Sequence, residues 1–314
     1  RISKKTQQRV LEAAQGLGYL PNISARRLRQ AGTRNLPAIA SFWPSDLAPE
    51  LLGRFFAGAQ SPILEQEFAF EMTIQPYKRG QVERIKEMCD RGVYHGAIIT
   101  GVSAEEQRYL ESNPCSVPAV LFNRESAVYS CVYADSYESG RKVAELFANR
   151  GHRKVGTIVP EHLVNSENNL RFRGFVESCA MYGLELEERH IQIATMSMEG
   201  GNSAARRIVE GGGGLPTAIF FPIGIMAVGA LPVFHRAAIR IPDDLEIVTY
   251  GDHEAEKYSV PSLTTVKLPV EEMAAASIRL VMELIQNPTA KPKSLVFETP
   301  FIFRESCGGF IREL

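Results

Sequence analysis

The sequence lacks the features that would indicate an enzyme, a metal centre or a disulfide framework. Its 314 residues include five cysteines, an odd number, and no two of them have the Cys-x-x-Cys spacing, so neither a disulfide framework nor a zinc cluster is indicated. The motifs Gly-x-Ser-x-Gly, Gly-x4-Gly-Lys-Ser/Thr and Gly-x-Gly-x-x-Gly are absent, and the six histidines show no two-ligand helical spacing. We therefore expect no catalytic activity, no cofactor and no bound metal.

The sequence also lacks a segment typical of a membrane helix. Residues 215–234 carry no charge, but they include three prolines and two glycines, which favour a buried strand, a turn and a buried helix. The unpaired cysteines fit a reducing compartment. We therefore expect a cytoplasmic protein without membrane contact.

What the sequence does contain is a regular alternation of short apolar runs with helical patterns. The predicted strands are 38–42, 71–75, 97–100, 119–122, 155–159, 191–194, 218–221 and 247–250. The predicted helices between them are 51–67, 80–91, 103–112, 136–150, 167–182, 199–210 and 269–286. This alternation predicts an α/β protein with two doubly wound, parallel-sheet lobes, and ligands should bind at the carboxyl ends of the strands.

We expect the chain to cross between the two lobes three times. The predicted crossings are residues 151–155, residues 266–269 and the region near residues 298–300. One lobe then comprises residues 34–149 with 269–297, and the other comprises residues 150–268 with 298–314. Three crossings form a hinge, so the cleft between the lobes can open and close.

Positive charge is concentrated at the start of the chain. Residues 1–34 hold eight Lys or Arg and one acid, a net charge of +7, whereas the remainder carries −8. The first residues are thus suited to a polyanion such as DNA, although a solvated basic tail would have the same charge.

The same region has the pattern of two short helices. Ser3 can cap a first helix that Gly18 ends, and after Pro21 a second helix, residues 22–30, places Ala25 and Leu28 on one face. Arginines at 26, 27 and 29 flank this face, an arrangement that suits an apolar wedge between base steps with cations on the phosphates.

Residues 1–30 resemble the end of the DNA-binding headpiece and the hinge helix of the lactose-repressor/galactose-repressor (LacI/GalR) family. The resemblance implies that Leu28 enters the minor groove. It also implies an all-α, helix-turn-helix headpiece, of which residues 1–33 form the last part, so that the operator sequence cannot be read from this chain. The DNA-contacting residues it implies are Tyr19, Asn22, Ser24, Ala25, Arg26, Leu28 and Arg29.

Further motifs extend the resemblance along the chain in the family's order. They are 134–140 (Ala-Asp-Ser-Tyr-Glu-Ser-Gly), 151–153 (Gly-His-Arg), 171–175 (Arg-Phe-Arg-Gly-Phe), 216–219, 227–229, 241–245 and 261–266. The resemblance implies a periplasmic-binding-protein-like core of two lobes behind the headpiece.

The resemblance also implies two ligands for a small-molecule effector, Asp135 and Arg171. A carboxylate opposed to a guanidinium is suited to a sugar or a sugar phosphate. The alternatives are a helix N-cap for Asp135 and a surface helix position for Arg171. Phe42 and Trp43 end the first predicted strand and could stack on a sugar ring, or they could belong to the core.

The sequence departs from the family where the family commonly binds sugar hydroxyls. Ile223-Gly224 stands in place of the usual Asn-Asp, and Gly251-Asp252-His253 in place of Asp-Asp. Either Asp252 and His253 replace the lost ligands, or the pocket is apolar or vestigial. We expect Asp135 and Arg171 to approach from opposite lobes, and the effector to be small or anionic, held chiefly by Arg171.

The predicted function is that of a DNA-binding transcription repressor, a homodimer whose affinity for operator DNA is controlled by a sugar, sugar phosphate or small acid in the cleft. The alternative is a solute-binding protein of the periplasmic type for sugar uptake. An enzyme on the same fold would need a catalytic constellation that the sequence does not show.

Overall fold

The computed structural model describes residues 36–47, 49–161 and 169–308, and these residues form two α/β lobes. The strands are β1 (Ala38–Pro44), β2 (Glu71–Tyr77), β3 (Gly96–Thr100), β4 (Ala119–Phe122), β5 (Ser130–Ala134), β6 (Val155–Pro160), β7 (Ile191–Ala194), β8 (Ala218–Phe221), β9 (Glu246–Gly251), β10 (Thr264–Lys267), β11 (Ser294–Phe297) and β12 (Phe301–Ile302). The helices are α1 (Pro49–Leu64), α2 (Glu83–Asp90), α3 (Ala104–Ser112), α4 (Ser136–Asn149), α5 (Leu170–Met181), α6 (Met198–Glu210), α7 (Gly224–Arg236), α8 (Glu254–Lys257) and α9 (Val270–Gln286).

Each lobe is built on a six-stranded sheet. The first sheet has the order β11-β5-β4-β3-β1-β2 and is parallel throughout. The second has the order β12-β10-β9-β8-β6-β7, in which β12 alone runs antiparallel to its neighbour. Helices cover both faces of a parallel sheet, so central strands such as β1 and β8 are mostly apolar and are buried at every position. The prediction of two parallel-sheet lobes is confirmed.

The first crossing between the lobes lies earlier than the sequence suggested. Helix α4 packs along α5, in the second lobe, so the chain leaves the first lobe at Ala134–Ser136 and not at residues 151–155. The other crossings join β10 to α9 and β11 to β12. The amphipathic pattern of α4 does not show which lobe the helix covers. Its packing against α5 places it in the second lobe.

This fit depends on two glycines at the crossing of α4 and α5. A Cβ at Gly140 would lie 1.9 Å from the carbonyl oxygen of Arg171, and a Cβ at Gly174 would lie 2.1 Å from that of Tyr137. Because glycine has only a hydrogen atom as its side chain, the two helix backbones can approach closely at these positions. Phe175 then lies between Phe147 and Phe220, with ring centroids 6.1 Å and 5.1 Å from its own. The glycines of the Asp-x4-Gly and Arg-x-x-Gly motifs therefore set the distance between the two helices.

The uncharged segment 215–234 forms β8 and most of α7, as the pattern predicted. Eight of the thirteen α7 residues are buried in the second lobe. Among the described residues, no helix is both long enough and apolar enough to cross a bilayer.

Candidate functional site

Two cavities lie between the lobes, at the carboxyl ends of the strands. The first, called the cleft cavity here, has a volume of about 740 Å³. The segments that follow β2, β3, β4 and β5 form its first-lobe wall, and the start of α5 closes it from the second lobe. Loops at the carboxyl ends of parallel strands are where such folds bind ligands, because the strand order leaves a crevice there.

Asp135 lies in the lining of the cleft cavity and also caps α4. One carboxylate oxygen accepts a hydrogen bond from the backbone N–H of Glu138 at 2.9 Å. The side chain is nevertheless exposed toward the cavity. The capping alternative therefore holds in the structure, and it also fixes the orientation in which the carboxylate faces the cavity.

Arg171 also contacts the cleft cavity, but its guanidinium Nε is buried. The Cζ atom lies 3.3 Å from the centroid of the Tyr250 ring, and Nη1 donates to the carbonyl oxygen of Pro222. Burial lowers the pKa of Arg171, and its buried Nε has no hydrogen-bond partner among the described residues. A buried cation of this kind is stabilised by an anionic or strongly accepting ligand.

The structure corrects the expectation that Asp135 and Arg171 approach from opposite lobes. Asp135 begins α4 and Arg171 lies in the first turn of α5, and these helices pack on each other in the second lobe. Asp135 also directly follows β5, so it stands at the hinge. A ligand that touches both residues must therefore reach the β2, β3 and β4 loops to bring the two lobes together.

The proposed stacking role of Phe42 and Trp43 is wrong for this conformation, because both rings belong to the core. They are 1% and 4% exposed, respectively. The Trp43 ring packs edge-on against Phe55 at 5.2 Å, and its Nε1 donates to Ser41 Oγ. Apolar side chains on both faces of a covered strand are buried whether or not the strand leads to a ligand.

Asp252 and His253 do not line the cleft cavity but a second one of about 820 Å³. Asp252 pairs with the Arg304 guanidinium. His253 Nδ1 lies 2.9 Å from Glu50 Oε1, which belongs to α1 in the first lobe. The expectation that these two side chains select the effector beside Arg171 is therefore wrong for this conformation.

Arg54 forms a second link between the lobes, beside the contact of His253 with Glu50. Arg54 of α1 donates from Nη1 to the Gly251 carbonyl oxygen at 2.9 Å and from Nη2 to that of Leu268 at 2.9 Å. Its Nε and Nη2 also form a bidentate pair with Glu271 at 2.7 and 2.9 Å. Burial alone would lower the pKa of Arg54, but hydrogen bonding to Glu271 raises it overall. The loop after β9 thus holds the lobes together.

Gly224, which stands where the family commonly has an acidic side chain, accommodates a different acid, Glu256. A Cβ at Gly224 would lie 1.8 Å from Glu256 Oε1, whereas a Cβ at Gly251 would meet His253 Nε2 first, at 2.7 Å. The Glu256 side chain is buried, accepts from Thr249 Oγ1 at 2.6 Å, and has its pKa raised by burial. The Glu256 carboxylate therefore fills the space that a side chain at position 224 would occupy.

Sequence reasoning missed several polar residues that line the cleft cavity, among them Arg79, Asn123 and Arg124. Asn123 and Arg124 directly follow β4, and Arg79 lies two residues after β2. The rule that ligands bind at the carboxyl ends of parallel strands could have found them, because both strands were predicted.

The remaining predicted residues, Tyr19, Asn22, Ser24, Ala25, Arg26, Leu28 and Arg29, lie outside the described residues. Within residues 36–47, 49–161 and 169–308, no group of three or more His, Cys, Asp or Glu is placed to hold a metal ion.

Comparison with known proteins relates this chain to periplasmic binding protein-like domains and to transcription regulators. The model of the periplasmic binding protein-like domain matches residues 144–307. A LacI family transcription regulator from Clostridium acetobutylicum, known from its crystal structure, is 35% identical in sequence to this chain, and the two structures match with a TM-score of 0.79. The match covers 85% of this chain and 99% of that one.

Two further comparisons extend over the N-terminal residues. The HTH-type transcriptional regulator CelR of Thermobifida fusca is 26% identical over 98% of this chain and 91% of its own. A CelR–cellobiose complex shares the fold, with a TM-score of 0.73 at 22% identity over 98% of this chain and 92% of that one. These relatives are transcription regulators and not enzymes, and they do not support the solute-binding alternative.

Proposed function

Because the chain belongs to the LacI family of transcription regulators, whose affinity for operator DNA is controlled by a small-molecule effector, we propose that its effector binds in the cleft cavity. The observation that carries the proposal is the cavity itself, of about 740 Å³, lined by both Asp135 and Arg171 at the carboxyl ends of four strands. This volume falls within the range of small-molecule sites.

The cavity couples ligand binding to lobe closure. Its walls come from both lobes, and Asp135 stands at the first crossing, so a ligand that binds both walls favours the closed arrangement. The chain enters the first lobe at β1, directly after the basic N-terminal residues. A change in the angle between the lobes therefore changes the geometry in which a dimer presents its two hinge segments to DNA.

Replacing Arg171 should remove the response to the effector. We expect sugars, sugar phosphates or small acids that raise the melting temperature of the protein to stabilise Arg171→Met much less, with a loss in binding free energy of about 1.5–3 kcal/mol. Methionine retains apolar contact with the Tyr250 ring but removes the charge and the donors.

Arg173→Met is the matched control, because Arg173 lies on the same helix, is exposed and pairs only loosely with Glu177 at 3.5 Å. Thermal-shift screening followed by calorimetry measures both variants. A ligand that stabilises Arg171→Met as much as the wild type would contradict the proposed site.

We also propose that the protein functions as a homodimer in which the lobes associate side by side. Exposed apolar side chains lie along both lobes, Ile63, Leu64 and Ile74 in the first and Ile193, Met196 and Met198 in the second. Association of two copies of the chain would remove such side chains from water. Sedimentation at micromolar concentration should give about twice the 34.8 kDa mass of the chain, and a monomer would count against this assembly.

A further inference from the structure

Cys89 and Cys115 form a close pair of thiols in the first lobe, outside the two cavities between the lobes. Cys89 lies in the last turn of α2 and is fully buried, whereas Cys115 lies in the loop between α3 and β4 and is partly exposed. A hydrogen bond links their side chains. Cys115 also lines a small surface cavity of about 270 Å³, so a small oxidant in solvent can reach this residue.

Hydrogen bonds from the backbone hold the two thiols in place. Ser116 Oγ donates to the carbonyl oxygen of Cys89 at 3.3 Å, and the backbone N–H of Ser116 donates to Asp90 Oδ1 at 3.1 Å. The backbone N–H of Cys115 donates to Tyr129 Oη at 3.0 Å. The end of α2 and the loop before β4 are thus tied together next to the thiols, so a bond between the two sulfurs requires only a local movement.

The hydrogen bond between the thiols gives them different roles. It lowers the pKa of Cys115, although burial acts in the opposite direction, and together with burial it raises the pKa of Cys89. Cys115 is therefore the better nucleophile, because the thiolate and not the thiol is the reactive form. An accessible, reactive cysteine beside a second thiol is the arrangement found in redox sensors.

The other three cysteines have different surroundings. Cys131 Sγ lies 3.2 Å from a hydroxyl oxygen of β11, and Cys307 Sγ donates to Glu246 Oε2 at 3.2 Å. Burial raises the pKa of Cys179 to about 12. All three side chains are buried, so an oxidant in solvent should react first at Cys115.

We propose that Cys115 and Cys89 form a redox-active pair that a peroxide converts reversibly into a disulfide, and that this bond weakens DNA binding. With hydrogen peroxide, the Cys115 thiolate attacks one oxygen and the O–O bond breaks, which leaves a sulfenic acid on Cys115 and releases hydroxide. This hydroxide takes up the proton that Cys115 has lost.

The second step forms the disulfide. Cys89 attacks the Cys115 sulfur, the S–S bond forms as the S–O bond breaks, and the thiol proton of Cys89 leaves with the hydroxide as water. The two thiols are oxidised, and one molecule of hydrogen peroxide is reduced to two of water. Transient disulfides of this kind also occur in reducing compartments.

The pair lies near the point at which the chain enters the first lobe. β1 follows the basic N-terminal residues, and its amino end lies beside those of β3 and β4 at one edge of the parallel sheet. The carbonyl oxygen of Pro118, three residues after Cys115, accepts from the backbone N–H of Ala97 at 2.9 Å. His95 exchanges two hydrogen bonds with the backbone of Ala38, at 2.7 and 3.0 Å. We therefore expect a disulfide that shifts the loop before β4 to disturb the entry of the DNA-binding segment into the lobe.

The experiment treats the reduced full-length protein with hydrogen peroxide and maps its thiols by alkylation and mass spectrometry of peptides. We expect one disulfide, between Cys89 and Cys115, that dithiothreitol removes. In the same samples, the affinity for operator DNA should fall at least about fivefold on oxidation and return on reduction.

Three variants assign the effect to the pair. Cys115→Ser should form no disulfide and keep its operator affinity in peroxide, which also tests whether oxidation of methionine contributes. Cys89→Ser should stop at a sulfenic acid on Cys115, which dimedone traps. Cys131→Ser is the matched control, because it replaces a buried thiol of the same lobe, and it should behave like the wild type.

The proposal is overturned if peroxide leaves both thiols of the pair free, if another cysteine forms the first disulfide, or if the disulfide forms and the operator affinity stays the same. Peptide mapping of the wild type gives the first two results even if Cys89→Ser does not fold. None of these outcomes concerns the place at which the effector binds, so the proposed function is tested separately.

Discussion

Gly140→Ala should destabilise the protein by about 3 kcal/mol, because the new methyl group has no space at the crossing of α4 and α5. Its Cβ would lie 1.9 Å from the carbonyl oxygen of Arg171. A backbone atom cannot move aside as a flexible side chain can, so the helices must separate. Their separation would also loosen the contact of Phe175 with Phe147 and shift Arg171 on the Tyr250 ring.

Gly53→Ala is the matched control, because Gly53 lies inside α1 and a Cβ there would meet no atom within 4 Å. Alanine has the higher helix propensity, so this variant should be as stable as the wild type or more stable by up to about 1 kcal/mol. Urea unfolding followed by circular dichroism measures both. Equal stability of the two variants would show that the α4–α5 crossing does not require glycine.

Leu28→Ala should weaken binding to operator DNA on the order of a few kcal/mol, about a hundredfold in dissociation constant, without affecting the fold of the core. A wedge that unstacks a base step needs the bulk of a leucine side chain, which alanine lacks. The change removes no charge, so the dependence of affinity on salt should stay the same.

Arg26→Ala provides the contrast, because loss of a phosphate contact should reduce the salt dependence by about one ion. Val260→Ala serves as the control, since Val260 is 90% exposed and belongs to the second lobe, outside the N-terminal segment. Titration of operator DNA at several salt concentrations measures all three. Wild-type affinity in Leu28→Ala would exclude the wedge role.

The sequence predicted most of the central strands because a strand covered on both faces must be apolar. β4, β7 and β8 have the predicted bounds, and β1, β2 and β6 run one or two residues further. β5 begins with the small residues Ser130 and Cys131, and β11 lies at a sheet edge with an exposed Leu295 and Val296. The predicted strands also leave out β10 and β12. β5 and β11 were missed because pairing with a neighbouring strand, and not a run of buried apolar residues, defines them.

The site was predictable in part, for a similar reason. Family resemblance placed Asp135 and Arg171 at the cleft cavity, and strand ends could have added Arg79 and Arg124. Asp252 and His253 lie elsewhere because Gly251, at φ +132°, directs the chain toward α1, where Arg54 binds its carbonyl oxygen. Which side of the hinge a loop faces depends on packing between the lobes, which a single sequence does not contain.

The most direct test of effector control is the affinity of the protein for its operator, measured at fixed salt with and without a ligand that calorimetry has shown to bind. The account predicts a change of roughly 5-fold to 150-fold in dissociation constant, with the reciprocal change in ligand affinity when DNA is present. It also predicts that the ligand loses its effect on DNA binding in Arg171→Met. An operator affinity that stays the same when the ligand saturates the cleft would contradict the account.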